Sequence, residues 1–406
     1  MGWIWRQAGL LSGFFLGLYA LSWLVTAWLY PLDSVWERLD ENLATTEGYM
    51  RAVDTHARPP LEYTVYPRAL MGREKKVLLL GGSNVRYTFD RRESSSALSG
   101  YTLYNLGLPH SNISQLYRVA AYYEAIFPPH PVPETVFVLG ITFNTMFPDR
   151  IYWKNMIRPA IDSEQLRYFW FTERDGAVKP ALPMARLPAL ITLLHPGIVV
   201  NHVYRNRVKK FVAERAGALE DWFTGQKSTP APTPDAEELN RMVWDDQKSR
   251  AAVKNFFRGK DELEGNLYDE QFNLLGLMIR QLAEKGHQIV LLDLPLPRWF
   301  KELSPHVWLY KLKLRLFLEE MATVSQMKWI HLPEDGIQDE DFVDTLHVKP
   351  RAIRSWSRQL APLLAQQIDH GPVGQNGKLS DLRGVSREST SEPGEIRRSH
   401  HQTVRQ

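Results

Sequence analysis

The sequence predicts an α/β protein built on a parallel β-sheet. Two short apolar segments with β character, residues 77–80 and 289–294, are each followed by glycine or proline. Segments with apolar residues at helical spacing, 115–127 and 268–285, lie between the strand candidates. Because strands alternate with helices, we expect a parallel sheet with helices covering both of its faces.

The amino-terminal segment has the length and composition of a membrane-spanning helix. Residues 8–30 carry no charged side chain, and tryptophans stand near both ends. A helix of that length, rising about 1.5 Å per residue, spans a hydrocarbon core of about 30 Å. A cleaved signal peptide is the alternative, but its apolar run is about 7–15 residues long and a small-residue cleavage site follows it. We therefore predict a membrane anchor over residues 1–30.

The charges that flank this anchor predict its orientation. Arg6 precedes the uncharged segment, and Asp33 and Glu37 follow it. Because positive charge favours the cytoplasmic side, the body of the chain is expected outside the cytoplasm. In a bacterium this means a single pass through the inner membrane, with the body of the chain in the periplasm.

Composition excludes several classes of function. There is no cysteine, so neither a disulfide framework nor a thiolate metal site can form. The net charge of +3 gives no reason to expect nucleic acid as a partner. HExxH, Walker and GxGxxG motifs are absent from the sequence, so we predict neither a metal nor a nucleotide cofactor.

The chain beyond the anchor divides into three parts. Residues 31–74 connect the anchor to a domain over 75–370, which contains an insertion at about 150–265. The insertion mixes apolar, aromatic and charged residues without a β period, so we expect it to be helical. Residues 371–406 contain few apolar residues, and we expect this tail to be disordered.

The remaining elements follow in order along the domain. Gly286 is well placed to terminate the helix at 268–285, and Pro350 stands near the first turn of a last helix that runs to about residue 368. Further strands are predicted at 101–104, 135–139 and 329–332.

Residues suited to catalysis follow the strand ends. The first strand runs into Gly81-Gly82-Ser83, and Asp344-Thr345-Leu346-His347 precedes the last helix. In an open α/β sheet, ligands bind beyond the carboxyl ends of the strands, where a serine on a glycine-bent backbone exposes its hydroxyl. Taken singly, Gly-Gly-Ser is more often a tight turn or an anion-binding loop, and Asp-x-x-His a helix cap. Their occurrence in one α/β domain favours a serine nucleophile with its base and acid late in the chain.

Four sequence blocks resemble those of the SGNH hydrolase superfamily, also called GDSL-like lipases and esterases. They read GGSN at 81–84, NLGLPHSN at 105–112, GITFN at 140–144 and DTLH at 344–347. The resemblance covers roughly residues 75–147 and 285–367. It implies a three-layer, flavodoxin-like α/β/α fold. It also implies that Ser83 is the nucleophile, that His347 is its general base and that Asp344 orients His347.

The same resemblance implies an oxyanion hole made of three donors. These are the amide of Ser83, a backbone amide of the second block from Gly107 or His110, and the side chain of Asn144. Two positions depart from the family pattern. His110 stands where the second block usually has glycine, and Gly140 and Asn144 are four residues apart where the family has two.

The membrane anchor and the long insertion together resemble SGNH-like proteins that modify cell-envelope polymers. Examples are proteins that accompany alginate O-acetylation or D-alanine transfer to teichoic acids. This implies an O-acyltransferase or acylesterase that faces the periplasm, acts on an exopolysaccharide or cell-envelope glycan through an acyl-enzyme on Ser83, and works beside a multispanning membrane acyltransferase. A plain carbohydrate esterase or lipase-like hydrolase is the alternative enzyme. A non-catalytic subunit that binds glycan is the alternative outside enzymes.

Overall fold

The computed structural model describes residues 2–29, 72–108, 111–126, 134–148, 171–174, 177–180, 215, 236–257, 269–332 and 338–369. Nearly all of the predicted connector, much of the predicted insertion and the tail at 371–406 lie outside these described residues.

Five strands form a parallel sheet, as the sequence predicts. The strands are β1 (Lys76–Leu80), β2 (Thr102–Asn105), β3 (Thr135–Ile141), β6 (Gln288–Asp293) and β7 (Met327–His331). Their order across the sheet is β2-β1-β3-β6-β7, and every pairing is parallel. All five carboxyl ends therefore meet at one edge of the sheet, where binding and catalytic groups gather in this class of fold.

Helices lie before, between and after these strands along the chain. They are α1 (Gly2–Leu29), α2 (Ser83–Arg86), α3 (Arg91–Ser95), α4 (Ile113–Ile126), α5 (Ala236–Arg241), α6 (Asp246–Phe257), α7 (Asp269–Glu284), α8 (Arg298–Leu303), α9 (Pro305–Met321) and α10 (Ile353–Asp369). Gly286 adopts a φ of +83° just after α7, which confirms its predicted place at the end of that helix.

Alternate residues of the strands belong to two separate apolar clusters. Leu78 and Leu80 pack with residues of α4, α7 and α9, whereas Val77 and Leu79 pack with residues of α10. Successive side chains of a strand point to opposite faces of the sheet, so both faces are buried. This accounts for strands that read as continuous apolar runs.

The amino-terminal helix matches the predicted anchor. Within α1, Trp5–Trp28 has a mean hydropathy of 1.7 and is entirely unburied. In the part of the chain that the structure describes, this is the one helix long and apolar enough to cross a membrane.

The insertion, which the sequence predicts to be helical, contains a β-hairpin as well as helices. Strands β4 (Phe171–Arg174) and β5 (Ala177–Pro180) pair in antiparallel fashion within it, in addition to helices α5 and α6. The sequence Asp175-Gly176 separates the two strands, and Asp-Gly between short strands is a strong hairpin signal. That local turn chemistry outweighs the absence of a β period in the surrounding residues.

Candidate active site

Ser83 lies at the carboxyl edge of the sheet, just after the interior strand β1. The strand ends at Leu80, two glycines follow, and Ser83 begins the short helix α2. A Cβ at Gly81 or at Gly140 would collide with the side chain of Val85. Both glycines are therefore needed for α2 to pack closely on the ends of β1 and β3, and this packing fixes the position of the serine.

Ser83, His347 and Asp344 form a hydrogen-bonded relay. The hydroxyl of Ser83 lies 2.8 Å from His347 Nε2, and His347 Nδ1 lies 2.7 Å from Asp344 Oδ2. Ser83 and His347 are 264 residues apart along the chain. Such a chain of contacts is the arrangement by which an imidazole activates a serine.

The loop that carries the acid and the base is held by its own backbone. Asp344 Oδ1 accepts the amides of Leu346 and His347, each at 2.8 Å, while its other oxygen faces the imidazole. The amide of Val343 donates to the carbonyl of His347 at 2.8 Å. The Asp-x-x-His spacing thus folds into a turn that presents one carboxylate oxygen to the histidine.

The electrostatics of the pair suit a general base. Burial by itself would lower the pKa of His347, but the negative charge of Asp344 and its hydrogen bond outweigh this and hold that pKa above its usual 6.5. Burial would raise the pKa of Asp344, yet His347 keeps the pKa below 3.8. The carboxylate therefore stays ionised at neutral pH and favours the Nδ1–H tautomer, which leaves Nε2 free to accept the serine proton.

A pH profile follows from the raised pKa of His347. Only the neutral imidazole takes a proton, so reactivity of Ser83 is expected to fall as the pH drops through a value above 6.5. In the Asp344→Asn variant the negative charge is gone, and the acid limb of the profile should move to lower pH. The measurement is the rate of covalent labelling of Ser83 between about pH 5 and 9. An acid limb that stays at the same pH in both proteins would show that Asp344 does not act on His347.

Two of the three predicted oxyanion donors are free in the structure. Among the described residues, the amide of Ser83 donates to no protein acceptor. The side chain of Asn144 is buried, and its Oδ1 accepts the hydroxyl of Thr142, which itself accepts from Asn84 Nδ2 at 3.0 Å. This network fixes the orientation of the Asn144 amide, and its NH₂ group has no protein partner within the described ranges.

Asn144 is connected through Thr142 to Asn84, the residue after Ser83, despite its unusual spacing from Gly140. Strand β3 continues to Ile141, and Phe143–Met146 forms a 3₁₀ turn that places Asn144 in contact with Thr142. If Asn144 donates to the oxyanion, Asn144→Ala should lower turnover by about 10²–10³. Thr142→Val, which removes the hydroxyl that orients the amide, should give a smaller loss. Turnover within about twofold of wild type in Asn144→Ala would remove this residue from the oxyanion hole.

The structure does not support Gly107 as an oxyanion donor. Its amide donates to Asn105 Oδ1 at 3.1 Å and is therefore engaged within its own loop. A Cβ at Gly107 would lie 2.6–2.9 Å from the backbone and Cβ of Arg86, so glycine is required there for close packing against α2. The other predicted donor of this block, His110, lies outside the described residues.

Asn105, the first residue of the second sequence block, has a structural role beside Ser83. Its side chain is fully buried, and Nδ2 donates to the carbonyls of Val85 at 3.3 Å and Phe89 at 2.7 Å. The end of β2 is thereby tied to the segment that follows Ser83. An asparagine at the end of a buried strand is the sequence signal for such hydrogen bonds, because a buried side-chain amide needs hydrogen-bond partners.

A buried carboxylate, Asp293, lies at the same edge of the sheet at the end of β6. Burial would raise its pKa, but Lys311 and His331 hold the pKa at about 2. Tyr310 Oη also donates to Asp293 Oδ1 at 3.1 Å. Asp293 therefore remains charged and paired at neutral pH, and Asp344 is the carboxylate that contacts the imidazole of His347.

No cluster of three or more metal-binding side chains occurs in the described segments.

Comparison with known proteins does not identify a family for this chain. No protein-family model matches the chain, and no curated protein matches it either.

Proposed function

We propose that the chain is a serine-dependent O-acyltransferase or acylesterase of the SGNH type, acting on an exopolysaccharide or cell-envelope glycan. The observation that carries this proposal is the relay of Ser83, His347 and Asp344, with contacts of 2.8 and 2.7 Å. A hydrogen-bonded nucleophile, base and orienting acid constitute the arrangement needed for acyl transfer.

In the first half-reaction, Ser83 Oγ attacks the carbonyl carbon of an acyl ester while its proton passes to His347 Nε2. The negative charge that develops on the carbonyl oxygen is stabilised by the Ser83 amide and the Asn144 NH₂ group. Collapse of this intermediate breaks the bond to the alcohol, which leaves with the proton from His347. The product is an acyl ester on Ser83.

In the second half-reaction, a hydroxyl group attacks the acyl ester on Ser83. His347 takes the proton of that hydroxyl and returns it to Ser83 Oγ as the ester breaks. A sugar hydroxyl gives an acylated glycan, and water gives the free acid. The negative charge of Asp344 stabilises the imidazolium that forms in both halves.

The fold proposed with this function is the three-layer, flavodoxin-like arrangement of the SGNH superfamily. The parallel sheet and the two apolar clusters on its opposite faces support it. Helix α1 supports a single-pass anchor. We propose that the catalytic domain lies in the periplasm and cooperates with a multispanning membrane acyltransferase that supplies the acyl group.

The proposed orientation is testable with reporter fusions. Arg6, near the amino end of α1, predicts that alkaline phosphatase fused after residue 370 is active, since this enzyme needs the periplasm to fold. A cytoplasmic reporter at the same site should be inactive. The reverse pattern would place the domain on the cytoplasmic side.

Transfer and hydrolysis are separated by offering an acyl donor with and without polysaccharide. The full-length chain is incubated with an activated acyl ester, and acyl groups on the glycan and free acid are both measured. Acyl groups on the glycan indicate a transferase, and free acid that does not respond to the glycan indicates an esterase. Neither product from the folded protein would leave a non-catalytic glycan-binding subunit as the better description.

A further inference from the structure

Two adjoining cavities lie at the same edge of the sheet as Ser83. Each has a volume of about 360 Å³, and they share Arg298, Asp339 and Glu340 in their walls. One is lined by residues that follow the end of β6, and both are lined by residues that follow β7. Clefts for small ligands start at about 300 Å³, so two such cavities side by side accommodate consecutive units of a chain-like ligand. We call the pair the Trp244 cleft.

The Trp244 cleft is built onto the loop that carries the catalytic acid and base. Trp244 Nε1 donates to the carbonyl of Phe342 at 2.9 Å, and Phe342 precedes Asp344 by two residues. Asp339, in the same loop, accepts the amide of Arg298 at 2.6 Å. A ligand in the cleft therefore contacts the segment that positions His347.

Aromatic surface and paired charges line the cleft together. Trp244 and Trp299 pack with their rings 4.5 Å apart, and Trp244 remains partly exposed. Trp299 is 92 % buried, and its indole NH has no partner among the described residues. An indole face packs on the apolar C–H face of a sugar ring, while carboxylates and guanidinium groups bind its hydroxyls.

The balance of charge in the cleft selects among glycans. Among the residues that the structure describes, five carboxylates and two guanidinium groups line the cavity that contains Trp244. In the same described part of the chain, the other cavity has two carboxylates and two cationic side chains. An excess of carboxylates repels a polymer of uronic acids or phosphates, because like charges brought close together cost free energy. A neutral sugar chain meets no such repulsion.

We propose that the Trp244 cleft binds a neutral glycan and that the acceptor of the acyl group is a neutral polysaccharide. This inference rests on the proposed function for its link to Ser83, while the binding itself is a separate property of the chain. It differs from the expectation that the resemblance to alginate and teichoic acid systems gives, since both of those polymers are anionic.

Calorimetric titration of the full-length chain in detergent tests the proposal. The probes are a panel of neutral hexasaccharides of different linkage and an anionic hexaguluronate. We expect at least one neutral probe to bind about tenfold or more tightly than hexaguluronate. Trp244→Ala should weaken binding of that probe about tenfold, and Trp244→Phe should weaken it less. Trp308→Ala should leave binding unchanged, because Trp308 is an exposed tryptophan of α9 that does not line the cleft.

A second variant keeps the test decisive if Trp244→Ala fails to fold. The double replacement of Glu302→Lys and Glu340→Lys changes two exposed side chains of the cleft from negative to positive. It should strengthen binding of hexaguluronate relative to the neutral probe. Preference of the wild-type chain for hexaguluronate, or equal effects of Trp244→Ala and Trp308→Ala, would overturn the proposal.

Covalent labelling of Ser83 in the same preparation separates this inference from the proposed function. If Ser83 labels normally and no neutral hexasaccharide binds, the cleft proposal fails and the catalytic proposal stands. If a neutral hexasaccharide binds as expected and Ser83 does not label, the catalytic proposal fails and the cleft remains a glycan-binding site.

Discussion

Replacing Ser83 with alanine is expected to abolish covalent labelling by a fluorophosphonate and to lower turnover of an activated acyl ester by about 10⁶. The variant removes only the hydroxyl group that contacts His347 Nε2 at 2.8 Å, and in the proposed mechanism the oxygen of this group forms the acyl ester. Labelling is followed by in-gel fluorescence, and turnover by release of the alcohol. Far-UV circular dichroism verifies that the variant is folded.

Ser96→Ala is the matched control for this experiment. Ser96 is an exposed serine near the end of α3, and its hydroxyl donates to the carbonyl of Glu93. This variant should label as the wild type does. Full labelling of Ser83→Ala would show that another residue carries the reactive hydroxyl.

Replacing His347 with alanine is expected to cause a loss as large as that of Ser83→Ala, about 10⁶ in turnover. Without the imidazole, the hydroxyl of Ser83 loses the base that takes its proton. The double variant Ser83→Ala with His347→Ala should fall no further than either single variant, because the two residues act as a unit. Additive losses would mean that the two residues act in separate steps.

Asp344→Asn should be less severe, at about 10⁴. The amide keeps the size of the side chain but not its charge, so the imidazolium is no longer stabilised. Labelling of the single variants, compared at one pH, gives the order of the three effects. A loss in Asp344→Asn equal to that in His347→Ala would indicate that the loop has lost its fold.

The elements that position Ser83, His347 and Asp344 could be predicted because their signals are local. Strand β1 is a continuous apolar run that ends in two glycines, and the Asp-x-x-His spacing fits within one turn of chain. Each signal alone is common. Their meeting in space follows from the parallel sheet, which brings the carboxyl ends of its strands to one edge.

The oxyanion hole could not be predicted in the same way, because its donors depend on contacts between distant loops. The spacing of Gly140 and Asn144 departs from the family pattern, and the contact with Thr142 becomes visible only in three dimensions. Gly107 shows the reverse case. Its position in the second block predicts a donor. In the structure, however, Gly107 packs against Arg86, and its amide donates to the side chain of Asn105.

Helix α9 shows how sequence period can mislead. Residues 311–316 alternate between basic residues and leucine, a pattern that is typical of a strand. The segment is nevertheless helical from Pro305 to Met321. Proline in the first turn and the strong helix propensity of leucine, lysine and arginine favour this outcome, and Tyr310 and Leu314 bury one face against the sheet.

The most direct test of Ser83 as a nucleophile activated by His347 is mass spectrometry of the labelled chain. Cleavage after Lys76 and Arg86 releases a peptide, residues 77–86, in which Ser83 is the only hydroxyl-bearing residue. After reaction with a fluorophosphonate, this peptide should gain the mass of one phosphonyl group in the wild-type chain and remain unmodified in folded His347→Ala. An unmodified peptide from the folded wild-type chain, or equal modification of both proteins, would contradict the catalytic role of Ser83 and His347.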